Sequence, residues 1–408
     1  MPRSPRRFAV LLAAALMLLL ALVPLVAVVP GFAQENEEEE APYQPPATPT
    51  ASEPAIPPEL TQYANDWPAP QGNLAGTRAA ANSPIDSSTV GQLDVAWTFP
   101  IEASSNFGGM TAIPIVAGDT VYVQDMLSNV SALDRDSGQV KWEKRYDVPS
   151  VGPNGVAIGY GMVYGGLGDT AEAFALDAAT GEEVWRVDLD NNPGIGIDMA
   201  PIVYDNVLYI STVPGNSAQF YEGGQRGILH AIDAQNGAPL WSFDTATDNL
   251  WHSARFNSGG GLWYPPSVDE QGNLYFGVGN ASPWPGNATW PNGSSRPGPN
   301  DYASSLVSLD LATGGLRWYH NAKPHDLFDL DLQNTPIVTT LEIDGQQRKV
   351  AFGSGKTGTV IANDADTGKL LWQAAVGTHQ NDQLSAVPPG QTVEVYPGSL
   401  GGVETPIA

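Results

Sequence analysis

Five stretches of the chain alternate or run apolar as short β-strands do: "DTVYVQD", "GMVYGG", "NVLYIST", "NLYFGVG" and "KVAFGSG". Their β-branched and aromatic residues suit a pleated, buried surface. Downstream of each lies a second pattern with one fixed frame: "ALDRDSGQVKW", "ALDAATGEEVW", "AIDAQNGAPLW", "SLDLATGGLRW" and "ANDADTGKLLW". An Asp (134, 177, 233, 310, 364) is followed four residues later by Gly (138, 181, 237, 314, 368) and eight residues later by Trp (142, 185, 241, 318, 372). The frame predicts a hairpin. The Asp side chain bonds backbone N–H groups of the turn, and the Gly takes the positive φ that other residues resist. The returning strand carries the Trp inward, to pack between neighbouring sheets.

Four short strands per repeat of about 45 residues or more predict an all-β propeller blade. The widest interval, Trp241 to Trp318, holds the Pro/Gly/Asn-rich insertion "NASPWPGNATWPNGSSRPGPNDY". Insertions of this kind usually sit on one face of such a scaffold and carry function. "QLDVAWTF", ending near Trp97, reads as one more Trp-bearing strand, able to close a ring by pairing with the last blade. After "YPGSLGGVETPIA" no further frame follows. The expectation is a sequence incomplete at its C-terminus, the alternative a five- or six-bladed ring closed by a degenerate blade.

Composition narrows the function. With 44 acidic against 18 basic residues and a net charge of -26, the chain repels phosphate backbones and anionic lipid surfaces. Nucleic acid is therefore not an expected partner. The absence of Cys excludes disulfides, thiolate metal sites, a Cys nucleophile and covalent c-type haem. At the N-terminus Arg3, Arg6 and Arg7 precede an uncharged run from Phe8 to Pro30 and the small-residue site Gly31-Phe32-Ala33. Residues 1–33 thus read as an export signal, either cleaved or retained as an anchor. Residues 34–59, acidic and rich in Pro and Thr, read as an extended linker, and the folded domain is expected from Leu60 onward.

The Asp-x3-Gly-x3-Trp frame resembles the repeat of the pyrroloquinoline quinone (PQQ) dehydrogenases, quinoproteins that fold as eight-bladed propellers. "NDWPAPQGNLAGTRAAANSPIDSSTVGQLDVAWTF" is similar to that family's N-terminal stretch, and "NLYFGVGNASPW" with "YASSLVSLDLATGGLRWYHNAKPHDLFDLD" to its metal-site region. The resemblance runs from about Tyr63 to the C-terminus. It implies PQQ and a Ca²⁺ or lanthanide ion as cofactors, held by a Glu, an Asn and an Asp, with the Asp also taking the hydroxyl proton of an alcohol. Hard oxygen ligands suit such cations, and a carboxylate beside one stays ionised as a base.

Carried over residue by residue, the resemblance assigns the metal to Glu222 in "YEGGQRG", Asn280 in "FGVGNASPW" and Asp329 in "HDLFDLD", with Asp329 as base. Asp331, two residues on, is a further expected ligand, because positions two apart on a strand face the same side. Trp263 in "GGGLWYPP" matches the floor under the planar quinone, and Lys356 in "FGSGKTG" the cation that bonds the quinone oxygens and the base. Each has an ordinary reading too: a loop carboxylate, a turn Asn, a strand-end Asp, a core Trp, a surface Lys. His325 and Asp326 read as supporting or surface groups. "GSGKTG" lacks the spacing of a phosphate loop.

Departures from the family concern the covering side of the quinone. The vicinal Cys pair and its neighbouring Arg segment are absent, leaving "GPNGVAIGYGMVYGG" there. Thr111 stands where a Glu or Gln usually binds the cofactor, and "QFY" replaces small residues before Glu222. The expected function is an exported dehydrogenase that oxidises an alcohol or sugar and passes electrons to a separate cytochrome or quinone acceptor. The alternative is a non-catalytic propeller serving the cell envelope as a binding module. No paired-carboxylate or nucleophile arrangement points to a hydrolase.

Overall fold

The computed structural model describes residues 54–408 apart from positions 81, 106, 220, 222, 247–250 and 252–254. The export segment 1–33, most of the linker 34–59, and Glu222 lie outside the described residues. Among the described residues, five four-stranded antiparallel sheets follow one another along 115–144, 157–188, 202–244, 267–321 and 337–375. In the first sheet Ile115–Ala117, Thr120–Gln124, Val130–Asp134 and Val140–Lys144 pair in chain order, and the other four sheets repeat that order. These are the blades expected of a propeller.

The burial of each strand follows its place in the blade. First and second strands such as Ile202–Tyr204 and Asn273–Gly277 are buried along their whole length, which explains their unbroken apolar character. In the outermost strand Val140–Lys144, Trp142 alone is buried. Apolar clusters fill the spaces between neighbouring sheets. One joins the first to the second, another runs through the second, third and fourth, and a third joins the fourth to the fifth.

The repeated frame builds these interfaces. In each hairpin Asp accepts from the turn; Asp310 Oδ1, for example, takes Thr313 N–H at 2.9 Å and its hydroxyl at 2.7 Å. The frame glycines have φ between 69° and 74°. The Trp of one frame then docks on the turn of the next. Trp142, Trp185, Trp241 and Trp318 donate from Nε1 to the carbonyls of Ala178, Ala234, Leu311 and Ala365, at 2.9–3.2 Å. Their indoles cover the next frame's Gly so closely that a Cβ there would lie 2.5–3.0 Å from a ring carbon. The Gly therefore serves twice, as the left-handed turn residue and as the bare seat of a neighbour's Trp.

Gly314→Ala tests both roles together. The left-handed backbone costs a residue with a Cβ about 1–2 kcal/mol, and overpacking against Trp241 typically adds about 1–3 kcal/mol. The variant's denaturant midpoint is expected to fall accordingly, with the m-value unchanged.

Two sequence expectations need adjusting. The stretch "QLDVAWTF" is not a strand: residues 93–100 have no ladder partner, and Leu93 and Val95 are exposed. Trp97 instead docks as the frame tryptophans do, with Nε1 2.7 Å from the Arg135 carbonyl and its ring over Gly138. The docking role was legible, and the strand was not needed for it. Packing also starts ahead of Leu60. The Ala55 N–H donates to Asp205 at 2.9 Å, and Glu59 accepts from the N–H groups of Tyr160 and Gly161.

Candidate active site

Antiparallel strands in chain order put two kinds of connection at the same end of every blade: the one leaving the second strand and the one entering the next blade. The Asp–Gly turns lie at the opposite end. Asn280 follows the second strand of the fourth sheet, and Lys356 follows that of the fifth. Asp329 and Asp331 lie between these two sheets, and Trp263 lies between the third and fourth. The family-type residues are thus gathered by topology onto the loop end.

The stretch 323–334 does not form a strand, so Asp329 and Asp331 do not share a face by strand alternation. A turn brings them together instead. Asp326, buried and held above the usual carboxylate range by that burial, accepts the Phe328 N–H at 3.0 Å and the Leu330 N–H at 2.8 Å. This pins Asp329 at φ 62°. Leu327, Leu330 and Leu332 anchor the turn in the interior. Arg296, from the Pro/Gly-rich insertion and fully buried, donates to the Asp326 carbonyl and, at 2.9 Å, to that of Pro283. His325 bonds the Asn292 and Gly298 carbonyls at 3.1 Å, outside the acidic cluster. Asp326 and His325 are therefore supports, as the sequence suggested.

Lys356 bridges the two carboxylates. Its Nζ lies 3.2 Å from Asp329 Oδ2 and 2.8 Å from Asp331 Oδ2. The other Asp331 oxygen accepts the backbone N–H of Asn280. Burial pushes Asp329 up to about 8, assisted by the charge of Asp331 and opposed by Lys356. Burial pulls the Lys356 ammonium down, but the two carboxylates more than offset this and raise it above its ordinary value.

The site chemistry fits a hard cation. Asn280 Oδ1 is buried and has no hydrogen-bond partner among the described residues, while the backbone N–H of the same residue donates to Asp331. Such an oxygen is costly to leave unmet, and amide and carboxylate oxygens are what Ca²⁺-like ions take. No group of three acidic, His or Cys side chains suited to a metal occurs among the described residues. Glu222, the remaining ligand that the resemblance assigns, lies outside the described residues.

Trp263 lies in a cradle of glycines. A Cβ at Gly152 would meet its ring at 2.6 Å, and one at Gly279 its Nε1 at 2.9 Å. The indole thus lies flush against bare backbone, which holds its ring plane firmly, as the floor under a planar group requires. Two residues missed as site members also reach it. Tyr221 lies nearly parallel to Trp263, with centroids 6.4 Å apart and 25° between planes, and edge-on to Trp284 at 4.7 Å. Burial, then the charges of Asp331 and Asp329, raise its phenol well above the ordinary range. Its sequence signal was the "QFY" departure. Asp198 is the second, an acid set in the apolar run "GIGIDMAPIV". Thr111, in place of an expected acid or amide, donates to the Gly152 carbonyl at 3.0 Å.

Comparison with known proteins identifies the family. Residues 67–169 and 190–383 match the family described as PQQ: glucose/ethanol/alcohol dehydrogenase, β-propeller domain. A Paracoccus denitrificans protein named as a dehydrogenase, XoxF, is 32% identical over 353 residues, covering 76% of this chain and 55% of that one. The quinohemoprotein alcohol dehydrogenase of Comamonas testosteroni is 30% identical over 337 residues, covering 75% of this chain and 46% of its own length. That enzyme's crystal structure superposes with a TM-score of 0.71 at 26% identity, over 84% of this chain and 55% of the other. The chain spans about half the length of the curated relatives it matches. By its repeated frame, its blades and this match, the chain belongs to the PQQ glucose/ethanol/alcohol dehydrogenase β-propeller family.

Proposed function

We propose that this chain is the propeller of an exported quinoprotein dehydrogenase that oxidises an alcohol or sugar with PQQ and a Ca²⁺ or lanthanide ion. The observation that carries the reading is the Lys356 bridge between Asp329 and Asp331 beside the unmet Asn280 oxygen. Asn280, Asp329 and Asp331, with Glu222 by its sequence spacing, would hold the cation, and Trp263 would seat the quinone. When bound, the quinone accepts the two electrons and the carbon-bound hydrogen that the alcohol loses, and the cation polarises its carbonyl.

The protein's own share is the proton and the geometry. Asp329, fixed by the Asp326 clamp, accepts the hydroxyl proton at a carboxylate oxygen. Lys356 stays charged throughout and steadies the ionised form of Asp329. The leucines and the insertion around Arg296 keep water from the inner side of the turn. Electrons would then pass to a cytochrome or quinone acceptor. Export rests on the N-terminal Arg and apolar pattern, with an anchor as its uncleaved form.

Titration of the full chain with PQQ, followed by Trp fluorescence in EDTA, Ca²⁺ or La³⁺, tests the reading. Quenching is expected only with a cation, and Asn280→Ala is expected to abolish it. A wild-type chain that PQQ leaves unquenched under all three conditions is a non-catalytic propeller.

A further inference from the structure

One buried acid near Trp263 has no part in the scheme above. Asp198 is fully buried. Its Oδ1 accepts three hydrogen bonds, from the Ser150 hydroxyl at 2.5 Å, the Val151 N–H at 2.9 Å and the Gly152 N–H at 3.2 Å. Its Oδ2 is buried and has no hydrogen-bond partner among the described residues. The same Gly152 lies against Trp263: a Cβ built there would be 2.6 Å from the indole and 2.9 Å from Asp198 Cβ. The acid thus stands at the rim of the floor on which a planar cofactor would rest.

A purely structural role does not account for an acid here. Asparagine would accept the same three bonds through its Oδ1 and would bring no charge to bury. Burial pushes Asp198 up to about 7 despite the lowering by Ser150 and the two N–H groups, and Asp169 adds its field in the same direction. The segments holding Asp198, Ser150–Gly152 and the ring of Trp263, carry no titratable side chain. Because Oδ1 already accepts three donors, the proton of the neutral acid belongs on Oδ2. The result is a buried O–H donor with no acceptor among the described residues.

We propose, on the footing of the dehydrogenase reading, that Asp198 contacts the cofactor seated on Trp263 and donates a hydrogen bond from Oδ2 to one of its carbonyl or carboxylate oxygens. It would add this contact at the rim of the Trp263 floor, next to Gly152. Neutral acids held beside anionic oxygens are an established device for donating a hydrogen bond near pH 7. Above that range the acid ionises and faces the ligand's oxygens as a like charge.

The test is the pH dependence of PQQ affinity, read by Trp quenching of the full chain with Ca²⁺ from pH 6 to 8, for wild type and Asp198→Asn. The amide places an N–H donor where Oδ2 stood and does not titrate. The two Kd values are expected to agree within about threefold at pH 6, and their ratio to grow about tenfold by pH 8, as ionisation near 7 removes the wild-type donor. Asp329 and Lys356 are common to both proteins and cancel in the ratio. A ratio constant across the range overturns the role of Asp198 and leaves the dehydrogenase reading standing. Wild-type protein that PQQ fails to quench at every pH overturns that reading, and this proposal with it. Asp198→Thr, whose hydroxyl also does not titrate, serves the same comparison if the asparagine variant does not fold.

Discussion

Asp329→Asn is expected to cut kcat by about 10²–10⁴, the usual worth of a positioned general base. The amide is nearly the same size and keeps an acceptor for Lys356, so thermal stability should change little. The turn clamp should survive as well, because it is built from Asp326 and the N–H groups of Phe328 and Leu330. The assignment also fixes a pH signature. Burial and Asp331 hold Asp329 up to about 8 without a metal, so the group is largely protonated at neutrality and ionises as pH rises. A base must be ionised to act, so kcat should climb with pH, and a bound cation should move that limb to lower pH by favouring the carboxylate. Steady-state rates of PQQ-loaded wild type and variant, from pH 6 to 9, check both points. A variant within tenfold of wild type would remove Asp329 from the base role.

Lys356→Met should produce the largest loss of stability among site substitutions. It leaves Asp329 and Asp331 buried without their counter-charge, a change that typically costs about 3–5 kcal/mol. The loss should depend on pH and on metal. With the ammonium gone, Asp329 is pushed further above its ordinary range. A carboxyl raised in the fold contributes stability at low pH that is lost as pH rises through the folded value. Because Asp329 is already held up to about 8 with the ammonium in place, its share of the deficit should be absent near pH 6 and grow above pH 8. Ca²⁺ or La³⁺ should restore much of it by taking the place of the ammonium. Melting temperatures in EDTA and in each cation, at pH 6 and pH 9, test the pattern. A Tm equal to wild type in EDTA at pH 9 would show that the bridge adds no support.

The blades were legible because their signals are local. Asp, Gly and Trp at fixed spacing specify turn, φ angle and inward ring within eleven residues, and the five frames recur in all five sheets. The candidate site positions stood out for the same reason: each sits in a short stretch of distinctive neighbours, as Asn280 does between Gly279 and the Pro-Trp pair. What local pattern could not give was contact between loops from different blades. Asp329 and Asp331 converge through a turn held by Asp326, which strand alternation misjudged. Asp198 joins segments 46 to 48 residues apart, and nothing in "GIGIDMAP" announces its partners. Trp97 misled in the other direction. Its flanking sequence looks like a strand, but its indole docks as a frame Trp with no strand beneath it.

The docking of each Trp on the following turn also separates two kinds of evolutionary freedom. The interlock is confined to the turn end of the blades and uses only the hairpin of one frame and the indole of the one before. The connections at the other end carry none of it. The interval between Trp241 and Trp318 can hold a long insertion while Trp241 still reaches the Leu311 carbonyl at 3.2 Å. Remodelling the loop end therefore leaves the architecture intact, and a lineage can exchange one wall of its chemical site while the opposite wall stays as inherited. A long insertion between Trp241 and Trp318, set against a docking frame that recurs in every sheet, is what such modular descent would leave behind.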